Sequence, residues 1–199
     1  MAHVPSADRR QQFIEAASRV IEQHGVARAT TRRIADEAGA PLAALHYCFS
    51  TKEELFEAVS ATTGWSDLAP AMENVHPGMG IAAAVDVLLQ STAKYISANL
   101  AAELGEIEIS VWALRSGRPE MPRRVYDAWL GLAESALEDA RAEDEQDQDI
   151  AAITRLVTNL LDGCVRADLM TNRQSLEESA EVASRTIAAA IAAGVFRRS

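Results

Sequence analysis

The feature that most constrains the fold is the run of residues 28–56, in which two short helical patterns are separated by one glycine. Thr30 or Thr31 can cap the first helix with a hydroxyl group, and apolar residues follow at helical spacing. Gly39 supplies the left-handed conformation that ends a helix, and Pro41 fits the first turn of the next one. The run therefore predicts a helix-turn-helix, whose second helix typically enters the major groove of DNA.

Two further helices are predicted to support this motif. Apolar residues at helical spacing over residues 7–24, followed by Gly25, indicate a preceding helix. Residues 51–54, Thr-Lys-Glu-Glu, form a capping box that opens a following helix. We therefore expect residues 1–60 to fold as a DNA-binding domain and residues 61–199 as a second helical domain, which makes the whole chain all-α.

The same residues carry a family resemblance. Segments 31–39, 45–49 and 50–55, which read TRRIADEAG, LHYCF and STKEEL, resemble the signature of tetracycline-repressor (TetR) family transcription regulators. The chain departs from the common family pattern at four positions in this segment, Pro41, Ala43, His46 and Cys48. The resemblance implies an all-helical homodimer with a variable C-terminal ligand-binding domain, and repression of transcription as the usual outcome.

Candidate DNA contacts follow from chemistry and from the positions that match the family. Arg32 can pair with guanine O6 and N7, and the alternative is a solvated arginine or a plain phosphate contact. Phosphate contacts suit Thr31, Tyr47 and Lys52, and family members use the matching positions in this way. The alternative for Tyr47 is a core residue, and the alternative for Lys52 is a solvated lysine. Because the second helix is poor in hydrogen-bonding groups, His46 and Arg32 are the expected polar readers, and DNA shape is expected to add specificity. The predicted DNA-binding residues are Thr30, Thr31, Arg32, Leu42, Ala43, Ala44, His46, Tyr47 and Lys52.

The net charge of −10 lies entirely outside the motif. Residues 1–55 hold seven basic and seven acidic residues, whereas the rest of the chain holds 12 basic and 22 acidic ones. DNA phosphates repel an acidic surface. The charge distribution therefore predicts that the N-terminal domain faces double-stranded DNA and that the remainder faces away.

Residues 61–199 are predicted to bind a small-molecule effector. Periodic apolar residues indicate helices over 81–98, 103–116, 120–142, 149–171 and 176–193. Aromatic and methionine side chains are concentrated between residues 65 and 129, and such side chains suit a cavity for an apolar ligand, although plain core packing is the equal alternative. Glu108 is a candidate polar handle, with a surface carboxylate as the alternative. The predicted ligand-binding residues are Trp65, Met72, Met79, Tyr95, Glu108, Trp112, Tyr126 and Trp129.

The last two predicted helices resemble a dimer interface. Each has an apolar stripe, and the stripe of the second helix is rich in small side chains, which allow helices to approach closely. Two such helix pairs across a two-fold axis would form a four-helix bundle. Ordinary core packing within one chain is the alternative. The predicted interface residues are Ile153, Val157, Leu160, Gly163, Cys164, Ile187 and Ile191.

Other function classes find little support in the sequence. The four histidines lack metal-ligand spacing, no nucleophile and base are arranged for catalysis, and we expect no enzyme, metal or cofactor. Two distant cysteines suit free thiols in a reducing compartment. No apolar run is long enough to span a membrane and the first residues lack signal-peptide features, so we expect a cytoplasmic protein without membrane contact. The alternative function is a helical small-molecule sensor or scaffold without specific DNA binding.

Overall fold

The computed structural model describes residues 6–63, 72–171 and 175–198. Within these residues the secondary structure is helical, apart from one isolated antiparallel bridge between Gln148 and Arg197. The described helices are α1 (Ser6–His24), α2 (Thr31–Glu37), α3 (Leu42–Cys48), α4 (Lys52–Thr63), α5 (Ile81–Ala98), α6 (Leu100–Arg115), α7 (Glu120–Ala140), α8 (Ile150–Thr171) and α9 (Leu176–Ala192). Short 3-10 turns lie at Val26–Arg28 and Glu143–Glu145. The predicted all-α fold is confirmed.

Most helix ends lie within a few residues of their predicted positions because the local signals are strong. Gly25, Gly39 and Gly194 follow their helices with φ of 76°, 59° and 75°, which only glycine adopts without strain. The largest difference is α6, which begins at Leu100 rather than at residue 103. Asn99 ends α5 and the next helix starts at once, so no turn residues mark the boundary in the sequence.

The chain divides into two compact units, and neither unit is a single stretch of sequence. Unit 1 comprises Met1–Ser66 and Leu100–Val125, and unit 2 comprises Asp67–Asn99 and Tyr126–Ser199. The predicted boundary near residue 60 therefore marks the end of the motif and does not separate the packing units. In unit 1, α6 packs with α1, α4 and the 3-10 turn at Val26–Arg28.

The core of unit 1 joins the helix-turn-helix to its supporting helices. Phe13, Phe49 and Phe56 are completely buried, and Ile109 and Ala113 of α6 belong to the same apolar cluster. Burying a large apolar side chain stabilises a fold by about 1.5 to 3 kcal/mol. Because one core includes residues from both stretches of the unit, α6 and the motif are expected to be stabilised together.

Unit 2 is built on the contacts among α5, α8 and α9. Its buried residues include four of the seven predicted interface positions, and this corrects the sequence-based prediction for those four. They pack inside one chain because the apolar stripes of α8 and α9 face α5 and each other. The four core residues are Ile153, Val157, Ile187 and Ile191. The other three, Leu160, Gly163 and Cys164, are half-buried or exposed.

Candidate DNA-binding surface

The helix-turn-helix is shaped by local capping signals. Thr30 precedes α2, and its hydroxyl oxygen accepts a hydrogen bond of 3.2 Å from the backbone N–H of Arg33. Of the two threonines considered, Thr30 is therefore the cap. Gly39 then turns the chain, and Pro41, with φ −60° and ψ 140°, immediately precedes α3. Its fixed φ suits that position, where a backbone N–H would lack a helical partner.

The second motif helix, α3, has one buried side and one exposed side. Leu45 is buried in the core of unit 1, and Leu42 and Ala44 are half-buried. Ala43, His46 and Tyr47 are exposed, with 86% of the Tyr47 surface accessible. A tyrosine this exposed is not a core residue, which removes the alternative considered for that position.

Two side chains of α1 hold the ends of the motif helices. Arg10 donates a 2.6 Å hydrogen bond to the carbonyl oxygen of Cys48, the last residue of α3, and its guanidinium lies 4.0 Å from the ring centre of Phe49. Gln12 donates a 2.6 Å hydrogen bond to the carbonyl of Ala38 after α2. Unpaired carbonyl groups at a helix C-terminus attract such donors. Neither residue was predicted from the sequence, although their place beside Phe13 in the apolar stripe of α1 was a signal.

Glu54 adds to this bracing through a modified capping box. The hydroxyl oxygen of Thr51 accepts a 3.1 Å hydrogen bond from the N–H of Glu54, as predicted. The Glu54 carboxylate accepts a hydrogen bond from the backbone N–H of Ser50 rather than from that of Thr51. It also forms an ion pair with Arg10 at 3.1 Å. These hydrogen bonds lower the pKa of Glu54, the backbone N–H of Ser50 contributing most.

The basic candidates differ in their surroundings. Arg32 is exposed near the start of α2, and Thr31 beside it is half-buried. Arg33 donates to the carbonyl of Arg28 at 3.2 Å. The Lys52 ammonium lies 4.6 Å from the ring centre of Phe56, and burial lowers the pKa of Lys52, opposed by the Glu53 carboxylate. The first turn of α4 thus carries a cation together with backbone N–H groups that favour anions.

The predicted ligand-binding residues are not gathered in one unit. Trp65 lies outside the described residues. Met72, Met79, Tyr95, Tyr126 and Trp129 belong to unit 2, and Glu108 and Trp112 belong to unit 1.

In unit 2, two of these residues attach α7 to α8. The indole N–H of Trp129, which is buried, donates a 3.0 Å hydrogen bond to the hydroxyl of Thr158. The Tyr126 hydroxyl donates to the Asp162 carboxylate one helical turn further along. Burial and this acidic partner raise the pKa of Tyr126. Trp129 therefore packs between helices, which is the alternative considered for the aromatic residues.

In unit 1, Trp112 and Glu108 lie on the side of α6 that packs against the N-terminal helices. Trp112 lies edge-on to Phe56, with ring centres 5.1 Å apart. The carboxylate of Glu108 accepts a 2.6 Å hydrogen bond from the backbone N–H of Val26. Glu108 therefore holds the backbone before α2, a role different from the polar ligand handle that the sequence suggested.

A second carboxylate of α6, that of Glu106, was missed by the sequence analysis. One of its oxygens accepts hydrogen bonds from the hydroxyls of Ser60 at 3.1 Å and Ser110 at 3.4 Å. The other oxygen is buried without a hydrogen-bond partner. Burial raises the pKa of Glu106 to about 7, the hydrogen bond from Ser60 opposing this effect. The four-residue spacing of Glu106 and Ser110 was a signal for the contact with Ser110, whereas the contact with Ser60 and the burial were not predictable locally.

Two negative findings apply to the described part of the chain. None of the described helices combines the length and apolar character that crossing a bilayer requires. In the same residues, no three histidine, cysteine or acidic side chains lie together as a metal-binding group would.

Comparison with known proteins agrees with this geometry. Residues 13–59 match the family described as bacterial regulatory proteins, tetR family. A curated relative, the HTH-type nicotine-responsive transcriptional repressor HdnoR of Paenarthrobacter nicotinovorans, is 36% identical over 166 residues, which cover 81% of this chain and 84% of the relative.

Solved structures also share the fold. The multidrug binding protein EbrR, crystallised with imidazole, has a TM-score of 0.68 and 25% identity, with 89% of each chain covered. A TetR transcription regulator from Haloarcula marismortui has a TM-score of 0.74 and 22% identity, covering 96% of this chain and 100% of its own. This second likeness supports the fold alone.

The matched family is one of regulatory proteins, and the curated relative is a transcriptional repressor. The extent of the identity confirms the predicted resemblance, including a ligand-responsive, DNA-binding role in transcription. The chain therefore belongs to the tetR family of bacterial regulatory proteins.

Proposed function

We propose that this protein is a cytoplasmic repressor that binds an inverted-repeat operator as a homodimer and leaves the DNA when a small, largely apolar molecule binds. The observation that carries the proposal is the exposed side of α3, which presents Ala43, His46 and Tyr47 while the core holds Leu45. One such helix per chain reads one half-site, and a dimer places two of them about 34 to 36 Å apart or a multiple of that distance.

Base reading and phosphate binding are assigned to different residues. Arg32, exposed near the start of α2, is suited to a bidentate contact with guanine. Thr30, Thr31, Tyr47 and Lys52 are suited to phosphate oxygens, and the Thr30 hydroxyl still has its proton to donate because it caps α2 as an acceptor. The residues Leu42, Ala43 and Ala44 can offer only apolar contact, for instance to the methyl groups of thymine.

The dimer interface is proposed on the outer sides of α8 and α9. After the correction above, Leu160, Gly163 and Cys164 remain as candidates, and two exposed apolar residues, Met170 and Val182, lie on the same two helices. The absence of a side chain at Gly163 allows a second helix to approach closely. These positions support an interface that leaves the core of unit 2 intact in both protomers.

The effector is proposed to be a small nitrogen-containing heterocycle. The name of one relative describes a repressor responsive to nicotine, and the other is a multidrug binding protein solved with imidazole. Within unit 1, α6 also exposes an apolar stripe at heptad-like spacing, and such a stripe can contact the ring of an apolar ligand. Its most exposed members are Leu100, Leu104, Val111 and Leu114.

Fluorescence titration tests the proposed effector response. Nicotine, as the first probe, is titrated into the protein while tryptophan fluorescence is recorded, with and without DNA from upstream of its own gene. A ligand that releases DNA must bind the DNA-bound protein less tightly, by the factor with which it lowers DNA affinity. Equal affinities in the two titrations would contradict coupling and leave the C-terminal region as a dimerisation scaffold. A protein that binds the ligand but no specific DNA would support the sensor alternative.

A further inference from the structure

The corner between α1 and α2 is held from outside by α6. Gly25 ends α1, and Val26 begins the 3-10 turn that leads to the cap of α2. The first N–H of a helical turn has no partner within the turn. Here the N–H of Val26 donates to the Glu108 carboxylate at 2.6 Å, across 82 positions of sequence. A short hydrogen bond to a charged acceptor is among the stronger kinds in proteins.

The geometry at Gly25 leaves room for this carboxylate. Gly25 has φ 76°, and a Cβ atom built on it would lie 2.8 Å from one Glu108 oxygen and 3.2 Å from the other. Any other residue at this position would be strained in its backbone and would displace the carboxylate. Gly25 and Glu108 therefore form a matched pair, which we call the corner clamp.

The neighbouring contacts fix α6 against the same region. A Cβ atom on Gly105 would lie 3.1 Å from Ile21 of α1, so the two helices approach closely there. Ile109 and Trp112 pack with the core one turn further along. The Glu108 carboxylate is thus carried on a rigid face, and its position determines where the backbone before α2 lies.

We propose that Glu108 is a positioning residue for DNA binding, which holds the first motif helix in register with α6 through the corner clamp. This inference rests on the proposed DNA-binding function. Without the clamp, the backbone before Thr30 has more conformations available, and only a fraction of them places α2 and α3 correctly on DNA. The apparent affinity falls in proportion to that fraction.

The sign of the effect separates this proposal from simple electrostatics. Glu108 carries a negative charge in a protein of net charge −10, so removing the charge reduces repulsion from phosphate. Electrostatics alone therefore predicts that neutral variants bind DNA equally or more tightly. The corner clamp predicts weaker binding.

The test compares Glu108→Gln and Glu108→Ala with Asp127→Asn, an exposed carboxylate of α7 that serves as the charge control. Affinity for labelled DNA from upstream of the gene is measured by fluorescence anisotropy, at a temperature where circular dichroism shows each variant folded. We expect Glu108→Ala to bind about ten- to a hundredfold more weakly, the scale of one charge-assisted hydrogen bond. Glu108→Gln, which keeps an acceptor oxygen, should be intermediate, and Asp127→Asn should bind no more weakly than the wild type.

A second variant keeps the proposal testable if Glu108→Ala fails to fold. Gly25→Ala should also weaken DNA binding, and by a smaller factor when Glu108 is already glutamine, because the displaced acceptor is then weaker while the backbone strain at residue 25 stays the same. The clamp would be overturned if the losses of DNA affinity from the Gly25 and Glu108 substitutions were independent and simply added in the double variant. It would also be overturned if the Glu108 variants bound DNA as tightly as the wild type. Failure of the wild-type protein to bind the DNA would instead overturn the proposed function, and this inference with it.

Discussion

At the scale of single residues, Lys52 and Arg32 are cations with different surroundings. The Lys52 ammonium lies over Phe56 at the first turn of α4, whereas Arg32 extends into solvent from α2. We predict that Lys52→Ala weakens binding to all DNA sequences alike and flattens the salt dependence by about one unit. Arg32→Ala should relax the preference at one base pair by about 1 to 3 kcal/mol.

Binding measured against a panel of single-base operator variants at several salt concentrations distinguishes the two roles. The assignment is wrong if both substitutions change specificity in the same way.

Glu106 makes stability depend on pH. Its pKa in the folded protein is about 7, above its usual 4.5, so the folded state holds a proton that the unfolded chain releases between these values. The stabilising contribution is therefore complete below pH 4.5 and is lost as the pH rises to about 7. The full loss is on the order of 3 kcal/mol.

Glu106→Gln should remove this part of the pH dependence, since an amide does not titrate. Urea denaturation across the same pH range measures it, with Asp127→Asn as the exposed control. Parallel pH profiles for the wild type and Glu106→Gln would contradict the assignment of the effect to this carboxyl.

At the scale of elements, α1 braces the motif through Arg10. This side chain reaches the carbonyl end of α3, the ring of Phe49 and the Glu54 carboxylate. Arg10→Ala should lower the free energy of unfolding by about 1.5 to 3 kcal/mol, the range for a hydrogen bond that involves a charged group. Arg9→Ala is the matched control, because the guanidinium of Arg9 donates to Gln12 within its own helix.

Chemical denaturation of the two variants measures the difference. Equal stability of Arg10→Ala and Arg9→Ala would show that the brace adds nothing to the fold.

The helices themselves were predictable because their signals are local. The hydroxyl cap of α2, the glycine after it and the apolar spacing of α1 all lie within a few residues of the structure they specify. The grouping of α6 with the N-terminal helices was not predictable in this way. It depends on Gly105, Glu108 and Trp112 meeting residues far away in sequence, and a helical period does not identify the partner of each face.

The same limit applies to the candidate sites. The predicted DNA-binding residues lie on α2, α3 and α4, with Thr30 just before α2, where the short-range pattern and the family resemblance coincide. Their contacts with DNA stay a prediction. Trp112 and Trp129 were candidates for a ligand site from composition alone, which cannot distinguish a cavity from packing. The structure gives Trp112 an aromatic partner and Trp129 a buried hydrogen bond.

At the scale of the whole molecule, Gly163 tests the proposed dimer. A Cβ atom on Gly163 meets nothing within 4 Å in the single chain, and the same is true of Gly131 in α7. Both glycines lie inside helices, so arginine at either position should preserve the fold. We predict that Gly163→Arg shifts the protein from dimer to monomer, whereas Gly131→Arg does not.

Sedimentation velocity at micromolar concentration measures both variants. Dissociation by both substitutions, or by neither, would contradict an interface centred on α8.

The uneven distribution of charge belongs to the same scale. The excess of acidic residues lies beyond residue 55, so phosphate repels most of the chain and the N-terminal region is the part that can approach DNA. A dimer has two such regions. Because both regions contact DNA at once, the affinity of the dimer for DNA depends on the spacing between the two half-sites.

The proposed binding of a dimer to an inverted repeat can be measured by sedimentation of fluorescently labelled DNA from upstream of the gene. We predict a complex with two chains on each inverted repeat, and loss of that complex when one half of the repeat is scrambled. A complex with one chain, or one that is unaffected by scrambling a half-site, would contradict it.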